Sequence, residues 1–348
     1  MYKSCNLILH GICFYENAIV SCCFAPNDQI NGCLPPVLVE NYKGEIIPKE
    51  KLFESMRKYS DQFKNGGCPV ECKGCFQIQE KDWDESEYID YVIITHYSVC
   101  NADCIYCSNN LEVEERTNDK YKVVPFLKYL KNEGVLKQNC ELHIGGGEFT
   151  IYEESEEILS EFGLTGFAQI VVPTNAVKYS EKLHKTLQQG NACVVISLDS
   201  GSRETFKRIK RIDAFDKVVQ NIYKYSEGTN SEKLTLKYII VPGINDNISE
   251  FKKFLQIAKN AHARYIRIDI EARYLRSVNN NINPFYLKMA EKMNSFAEKE
   301  GFDTDLYAFL QQSLSNMSPK DKIKSLIEYI QLKYFKTGIK KFYTHHKY

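Results

Sequence analysis

From Tyr88 onward, short apolar runs alternate with amphipathic stretches, the pattern of βα units laid around a parallel sheet. Tyr91–Thr95, Glu141–Ile144, Gln169–Pro173, Cys193–Leu198, Leu234–Val241 and Tyr265–Ile270 read as strands. Helical periodicity falls between them at Lys120–Asn132, Glu153–Glu161, Ser180–Gln189, Ala214–Ser226 and Ser249–Asn260. Six strands are two short of a closed (β/α)₈ barrel. The pattern therefore predicts an α/β fold with a partial (β/α)6 TIM-type barrel over residues 87–276.

The flanks break the pattern. Residues 1–86 read as irregular and rich in Cys, Gly, Pro and Asn, with one helical stretch near Lys49–Phe63. So short and loop-rich a segment needs a staple, and a small Cys-rich N-terminal domain is expected. Residues 277–348 read as a helical extension with helices at Asn283–Lys299 and Pro319–Tyr334. Ser318 is placed as N-cap of the second, Pro319 at its first turn, and Ile323, Leu326, Ile327 and Ile330 on one face. The apolar segment Ile8–Phe24 is broken by His10, Glu16 and Asn17 and lacks a basic leader and a cleavage site, so neither a signal peptide nor a membrane span is expected.

Composition adds two constraints. The chain has 348 residues, 43% of them apolar, enough for a sizeable core, and 45 basic against 45 acidic residues, so no net field favours nucleic acid or an anionic membrane as partner. Thirteen cysteines without a secretory signal point to a cytoplasmic chain that binds metal. Most lie in the first third: Cys5, Cys13, Cys22, Cys23, Cys33, Cys68, Cys72, Cys75, Cys100, Cys104 and Cys107.

The sharpest feature is CNADCIYC, which puts Cys100, Cys104 and Cys107 directly after the first predicted barrel strand. Loops leaving that end of a barrel strand form the face where active sites are built. A structural zinc site takes four Cys or His ligands. Three thiolates can instead hold three irons of a [4Fe–4S] cluster and leave the fourth open.

The triad resembles the Cys-x3-Cys-x2-Cys loop of radical SAM enzymes, and the resemblance continues in order along residues 90–275. Tyr106 fills the aromatic position before the last cysteine, near the adenine in that family. Gly146, Gly147 and Glu148 resemble its GGE motif, and Pro173-Thr174-Asn175 its TNG segment with Ala176 in place of Gly. Ser197-Leu198-Asp199-Ser200-Gly201, with Thr205-Phe206 and Arg208, is similar to the SLDSG-x3-TF-x2-IK run, and Tyr238–Asn245 to the fifth-strand exit. A lone GGGE marks only a tight turn; matches at successive strand ends carry the resemblance.

The resemblance implies a catalytic [4Fe–4S] cluster on Cys100, Cys104 and Cys107 with S-adenosyl-L-methionine (SAM) on the open iron. It places Gly146, Gly147 and Glu148 about the methionine amine, Glu148 accepting from it, counts Asn175 among the SAM-binding residues, and puts Ser197 or Asp199 on the ribose hydroxyls. Arg208, with Arg203 and Arg211 as alternatives, would meet the carboxylate, because Ile209-Lys210-Arg211 lacks the Gly that relatives often carry after Lys. It also implies reductive cleavage to a 5′-deoxyadenosyl radical and a low-potential electron donor such as flavodoxin or ferredoxin.

A second constellation lies at the front. Cys5, the VSCC segment with Cys22, and PVECKGC with Cys72 and Cys75 resemble a SPASM-type auxiliary cluster domain, placed here before the barrel instead of after it. A second [4Fe–4S] cluster on Cys5, Cys22, Cys72 and Cys75 is implied, with Cys23 and Cys68 in reserve and zinc as the alternative metal. Cys13 and Cys33 read as buried packing. So do Cys140 and Cys193, which precede strands toward the barrel's inactive end and are set against a role as hydrogen donors. His96 and Tyr97 line either the cavity or a loop contact, and Asp269, Glu271 and Arg273 are substrate-contact candidates. The basic, aromatic tail Pro319–Tyr348 reads as a solvated terminus.

These features predict a radical SAM enzyme of oxidoreductase or peptide-modifying type, acting on a peptide or protein with the auxiliary cluster assisting electron transfer. The alternatives are a dehydrogenase or epimerase of a sugar or small molecule and, in another class, a non-enzymatic zinc or Fe–S regulatory protein.

Overall fold

A computed structural model describes residues 2–22, 35–73, 75, 77–107, 121–271, 274 and 284–306. The strands are β1 (Tyr2–Ser4), β2 (Gly11–Tyr15), β3 (Ala18–Val20), β4 (Val37–Glu40), β5 (Gln79–Lys81), β6 (Ile89–Ile94), β7 (Leu136–Ile144), β8 (Gln169–Thr174), β9 (Ala192–Ser197), β10 (Leu234–Ile240), β11 (Tyr265–Ile270) and β12 (Asp303–Asp305). The helices are α1 (Asn6–His10), α2 (Lys49–Lys64), α3 (Val124–Asn132), α4 (Ser155–Phe162), α5 (Glu181–Gln188), α6 (Arg203–Lys210), α7 (Phe215–Ser226), α8 (Ile248–Asn260) and α9 (Pro284–Lys299).

Ten strands form one sheet in the order β12-β11-β10-β9-β8-β7-β6-β2-β3-β4, and β1 pairs with β5 apart from it. Every pairing from β2 to β12 is parallel. All six predicted barrel strands are present, in sequence order, as β6 to β11, and no pairing among the described residues closes the sheet on itself. The fold is thus α/β and a partial barrel.

Strict alternation along the strands separates its two faces. On β11, Ile266, Ile268 and Ile270 join the main core with Phe251, Phe254 and Leu255 of α8, while Tyr265, Arg267 and Asp269 point the other way and stay half-buried. On β9 the core side is Ala192, Val194 and Ile196, and the opposite side is Cys193, Val195 and Ser197. A parallel sheet covered on both faces would be apolar throughout, so the period of two leaves an open, polar inner face. The helices start where their caps dictate. Ser180 accepts from the Leu183 amide at 3.2 Å and Asn247 from the Glu250 amide at 2.9 Å, each contributing about 1 kcal/mol.

The flanks differ from their expected form. Residues 1–86 are not an irregular unit apart: β2 pairs in parallel with β6, Cys13 opposite Ile93, and β3 and β4 extend the sheet beyond it. The Glu16-Asn17 break in the apolar run is the two-residue turn between β2 and β3. At the other end, β12 follows α9 and pairs with β11, so the extension is not wholly helical. Asp303-Thr304-Asp305 has no apolar period to reveal a strand. Helix Pro319–Tyr334, the basic tail, Cys23, Cys33 and Arg273 lie outside the described residues. No described helix is long and apolar enough to cross a membrane.

Candidate active site

The chain leaving β6 carries the cysteine triad, and the ends of β7, β8 and α6 grip it. The first grip is the Gly145–Glu148 turn after β7. The amides of Gly145, Gly147 and Glu148 donate to the carbonyls of Ile94 (2.7 Å), Tyr97 (3.0 Å) and Val99 (2.7 Å). Backbones can approach so closely only without side chains. A β-carbon on Gly146, whose φ is +77°, would stand 2.4 Å from the Tyr97 carbonyl oxygen, and one on Gly147 2.0 Å from that of Val99. The glycine pair thus has a structural reason of its own, beside any contact with a cofactor.

Glu148 is 2% exposed. Its Oε1 accepts from the Thr150 amide (3.1 Å), the Thr150 hydroxyl (2.7 Å) and the Thr174 hydroxyl (2.6 Å), and its Oε2 from the Asn175 amide (2.7 Å). Oε1 is filled, and one lone-pair position is left at Oε2. Glu148 therefore ties the second strand end to the third before it meets any amine.

Asn175 supplies the second grip. Its Nδ2 donates to Asn101 Oδ1 at 2.7 Å and lies 3.7 Å from Cys100 Sγ. Ala176, where relatives carry glycine, keeps the left-handed backbone (φ 56°) that glycine adopts freely. Its carbonyl accepts from Asn221 Nδ2 at 2.8 Å.

The third grip comes from the end of α6. The amides of Asp103 and Ile105, on either side of Cys104, donate to the carbonyls of Lys210 (3.1 Å) and Ile209 (2.9 Å), and Arg211 in the left-handed cap pairs with Asp103 at 3.4 Å. Beneath them Lys210, 1% exposed, forms a close ion pair with Asp199, 0% exposed. Lys210 Nζ also donates to the Tyr106 hydroxyl at 2.6 Å, and that hydroxyl donates to Asp199 Oδ2 at 2.5 Å. The remaining Asp199 oxygen accepts from the Ile239 amide at 2.8 Å.

This revises two expectations. Asp199 is committed to Lys210, Tyr106 and β10, leaving Ser197, half-buried on the inner face and in register with Lys237, as the ribose candidate. Among the basic residues here Arg203, Arg208 and Arg211 are exposed, and the buried one is Lys210. Its place directly after Ile209, on the buried side of an amphipathic helix, is the signal that finds it.

Electrostatics follow this layout. Burial pushes the Cys104 thiol up, Lys210 draws it back, and Asp199 and Cys107 oppose that. Burial also works against the Lys210 charge, but Asp199, Cys104 and Cys100 outweigh it and hold the ammonium above its usual range. Burial, Asp199 and the Cys104 thiol raise the Tyr106 phenol well above its own.

His96 and Tyr97 are buried, Tyr97 at 1% and His96 at 4% exposure. Tyr97 stacks on Tyr152 at 4.1 Å, and Tyr152 links the His96 ring (3.2 Å) to Glu154 (2.6 Å). Burial depresses His96 to a pKa of about 4.

Three half-buried thiols on one pinned loop suit a cluster that spreads its ligands over separate irons. Among the described residues no three His, Cys, Asp or Glu side chains are placed to hold a single metal ion. The buried Tyr97 hydroxyl, within electrostatic reach of Glu148 and Cys100, has no hydrogen-bond partner among the described residues. It adds an unused donor at this site.

At the front, Cys5, Cys22 and Cys72 are buried and Cys68 and Cys75 half-buried. Burial raises the Cys72 thiol, and so do Cys22, Cys5, Cys75 and Cys68 around it; Cys5 is pushed up to about 11, chiefly by burial. Cys22, Cys5, Cys75 and Cys68 all lie within electrostatic reach of Cys72, and Cys5, Cys68 and Cys72 share one small apolar cluster. Of the remaining cysteines, Cys140 packs in the core within β7, whereas Cys193 lies within β9 on the inner face. That face also carries Glu141 bonded to His143 (2.9 Å), Lys237 paired with Asp269 (3.4 Å) and Arg267 with Asp305 (2.8 Å).

The sequence model of the Radical SAM superfamily matches residues 94–258, the span holding the triad and its three grips. A probable GTP 3',8-cyclase of Saccharolobus islandicus is 28% identical over 180 residues, 51% of this chain and 54% of the relative. The GTP 3',8-cyclase of Listeria monocytogenes is 28% identical over 183 residues, covering 51% and 53%. The chain spans about half the length of the curated relatives it matches. Crystalline SuiB of Streptococcus suis, bound to the precursor peptide SuiA, superposes with a TM-score of 0.50 at 11% identity, covering 76% of this chain and 56% of that one, a likeness of fold.

Proposed function

Because residues 94–258 match the model of the Radical SAM superfamily, we propose that the protein holds a [4Fe–4S] cluster on Cys100, Cys104 and Cys107, cleaves SAM reductively and abstracts a hydrogen atom from a peptide or protein. One observation carries this proposal: two strand ends and the end of α6 converge on the cysteine loop and leave its thiols half-buried. When bound, cluster and SAM supply a low-potential electron and a carbon radical. The chain fixes where that chemistry occurs. The Gly146-Gly147 turn holds the start of the loop, Asn175 tethers Cys100, and the end of α6 tethers Cys104.

The mutual electrostatic reach of the front cysteines supports a second cluster on Cys5, Cys22, Cys72 and Cys75, with Cys68 in reserve. It would relay the electron left on the substrate after hydrogen abstraction.

The inner face favours a peptide over a nucleoside triphosphate. Its described cations, Lys237 and Arg267, are each tied to a carboxylate, whereas a triphosphate needs cations to spare. Asp269 Oδ1 is buried with no hydrogen-bond partner among the described residues, an acceptor suited to an N–H donor such as a peptide amide.

The test is anaerobic reconstitution followed by mass spectrometry with SAM, dithionite and candidate peptides or GTP. The proposal expects 5′-deoxyadenosine from the wild type and none from Cys104→Ala. Undiminished deoxyadenosine in that variant would sink it, and conversion of GTP would overturn the peptide assignment alone.

A further inference from the structure

Lys210 and Asp199 sit under the cysteine loop as a pair that cannot turn. Asp199 is fixed by the Ile239 amide on one carboxylate oxygen and by Asn245 Nδ2 on its carbonyl, both at 2.8 Å. Lys210 is fixed by Tyr106 and by the two backbone bonds that flank Cys104. The ammonium bonds the hydroxyl of Tyr106, which lies between Cys104 and Cys107 in the loop, at 2.6 Å, and the carbonyls of Ile209 and Lys210 hold the amides on either side of Cys104; in keeping with this its charge acts on both Cys104 and Cys100. A buried ion pair adds little net stability over apolar residues of the same size. What it adds that they would not is a directed field. One-electron reduction places negative charge on the group the cysteines hold, and a cation close by stabilises that charge at low local dielectric.

We propose that the Lys210–Asp199 pair is a fixed dipole that sets the reduction potential of the group held by Cys100, Cys104 and Cys107, Lys210 raising the potential and Asp199 lowering it. Both act as positioning residues of charge and touch no substrate. The inference rests on the cluster assigned to the triad above.

The experiment is a potentiometric titration of the reconstituted full-length protein, followed by electron paramagnetic resonance on the signal that SAM perturbs. Lys210→Gln should move the midpoint to more negative values and Asp199→Asn to less negative ones. Asp199→Asn with Lys210→Gln leaves no unpaired buried charge and should fall between the two single variants. A merely structural pair would not give shifts of opposite sign. Shifts in the same direction, or unmoved midpoints, would overturn the proposal. If one single variant fails to fold, the double variant measured against the other decides, and equal midpoints overturn the proposal. Iron and sulfide counts on the wild type come first, so absence of the cluster is read separately from absence of the dipole effect.

Discussion

Gly147 presses its backbone against Val99 so closely that no β-carbon fits between them. Its φ is not in the left-handed region, so the demand for glycine is one of space, set by the loop that bears the triad. Gly147→Ala should push that loop off the β7 turn. The expected outcome is a soluble protein that loses the iron of the triad, about four atoms per chain on reconstitution, with a lowered melting temperature. Full iron loading would show that the loop can shift without loss.

Glu148→Gln distinguishes two roles of one carboxylate. Three donors meet Oε1 and one meets Oε2, so an amide must set its own N–H groups against buried donors. That should cost about 2 kcal/mol or more of stability, read as a lower melting temperature without SAM. An unchanged melting temperature together with weakened SAM binding would mean that Glu148 serves only the ligand.

Cys72→Ala with Cys75→Ala should lower bound iron from about eight to about four per chain if both sites carry [4Fe–4S] clusters. Deoxyadenosine should still form, because the loop after β6 is held by residues after Ile94, but modified product should not. Zinc at the front with four irons in both proteins would make the N-terminal site a staple.

His96 gives a pH signature. Its folded pKa of about 4 lies below the ordinary histidine value of 6.5, so between these values the unfolded chain binds the extra proton. Stability should be intact above about pH 6.5 and fall as pH drops toward 4, by a total on the order of 3 kcal/mol. The buried Glu154 carboxyl, raised by burial, titrates with the opposite sign. The difference between denaturation curves of wild type and His96→Gln isolates the histidine, and parallel curves from pH 4 to 7 would refute its buried neutral state.

The barrel strands were legible because β6 to β11 are short apolar runs set between amphipathic stretches, several of them ending in motifs, and helix starts such as Ser180 were legible through their caps. β2 and β12 were hidden for different reasons. The first lies in an apolar run that a hairpin interrupts, and the second has only Asp-Thr-Asp to show. The loop cysteines could be read by spacing, whereas the task of Asp199 could not. Its motif names the residue but not the partner, and Lys210 lies eleven positions on, joined to it only by the fold.

The pairing of β2 with β6 also orders events during synthesis. Cys13 reaches its partner Ile93 across 80 positions, a contact that cannot form until the second strand has left the ribosome. At about 5–20 residues per second, Cys5 and Cys22 wait roughly 4–16 s for the strand that anchors their segment. Through that interval the front of the chain is an unpaired edge bearing free thiols, open to oxidation or to the wrong metal. The triad waits longer still for its last grip, since Tyr106 and Lys210 lie 104 positions apart, so metal supply and oxygen during expression should affect both cysteine sites.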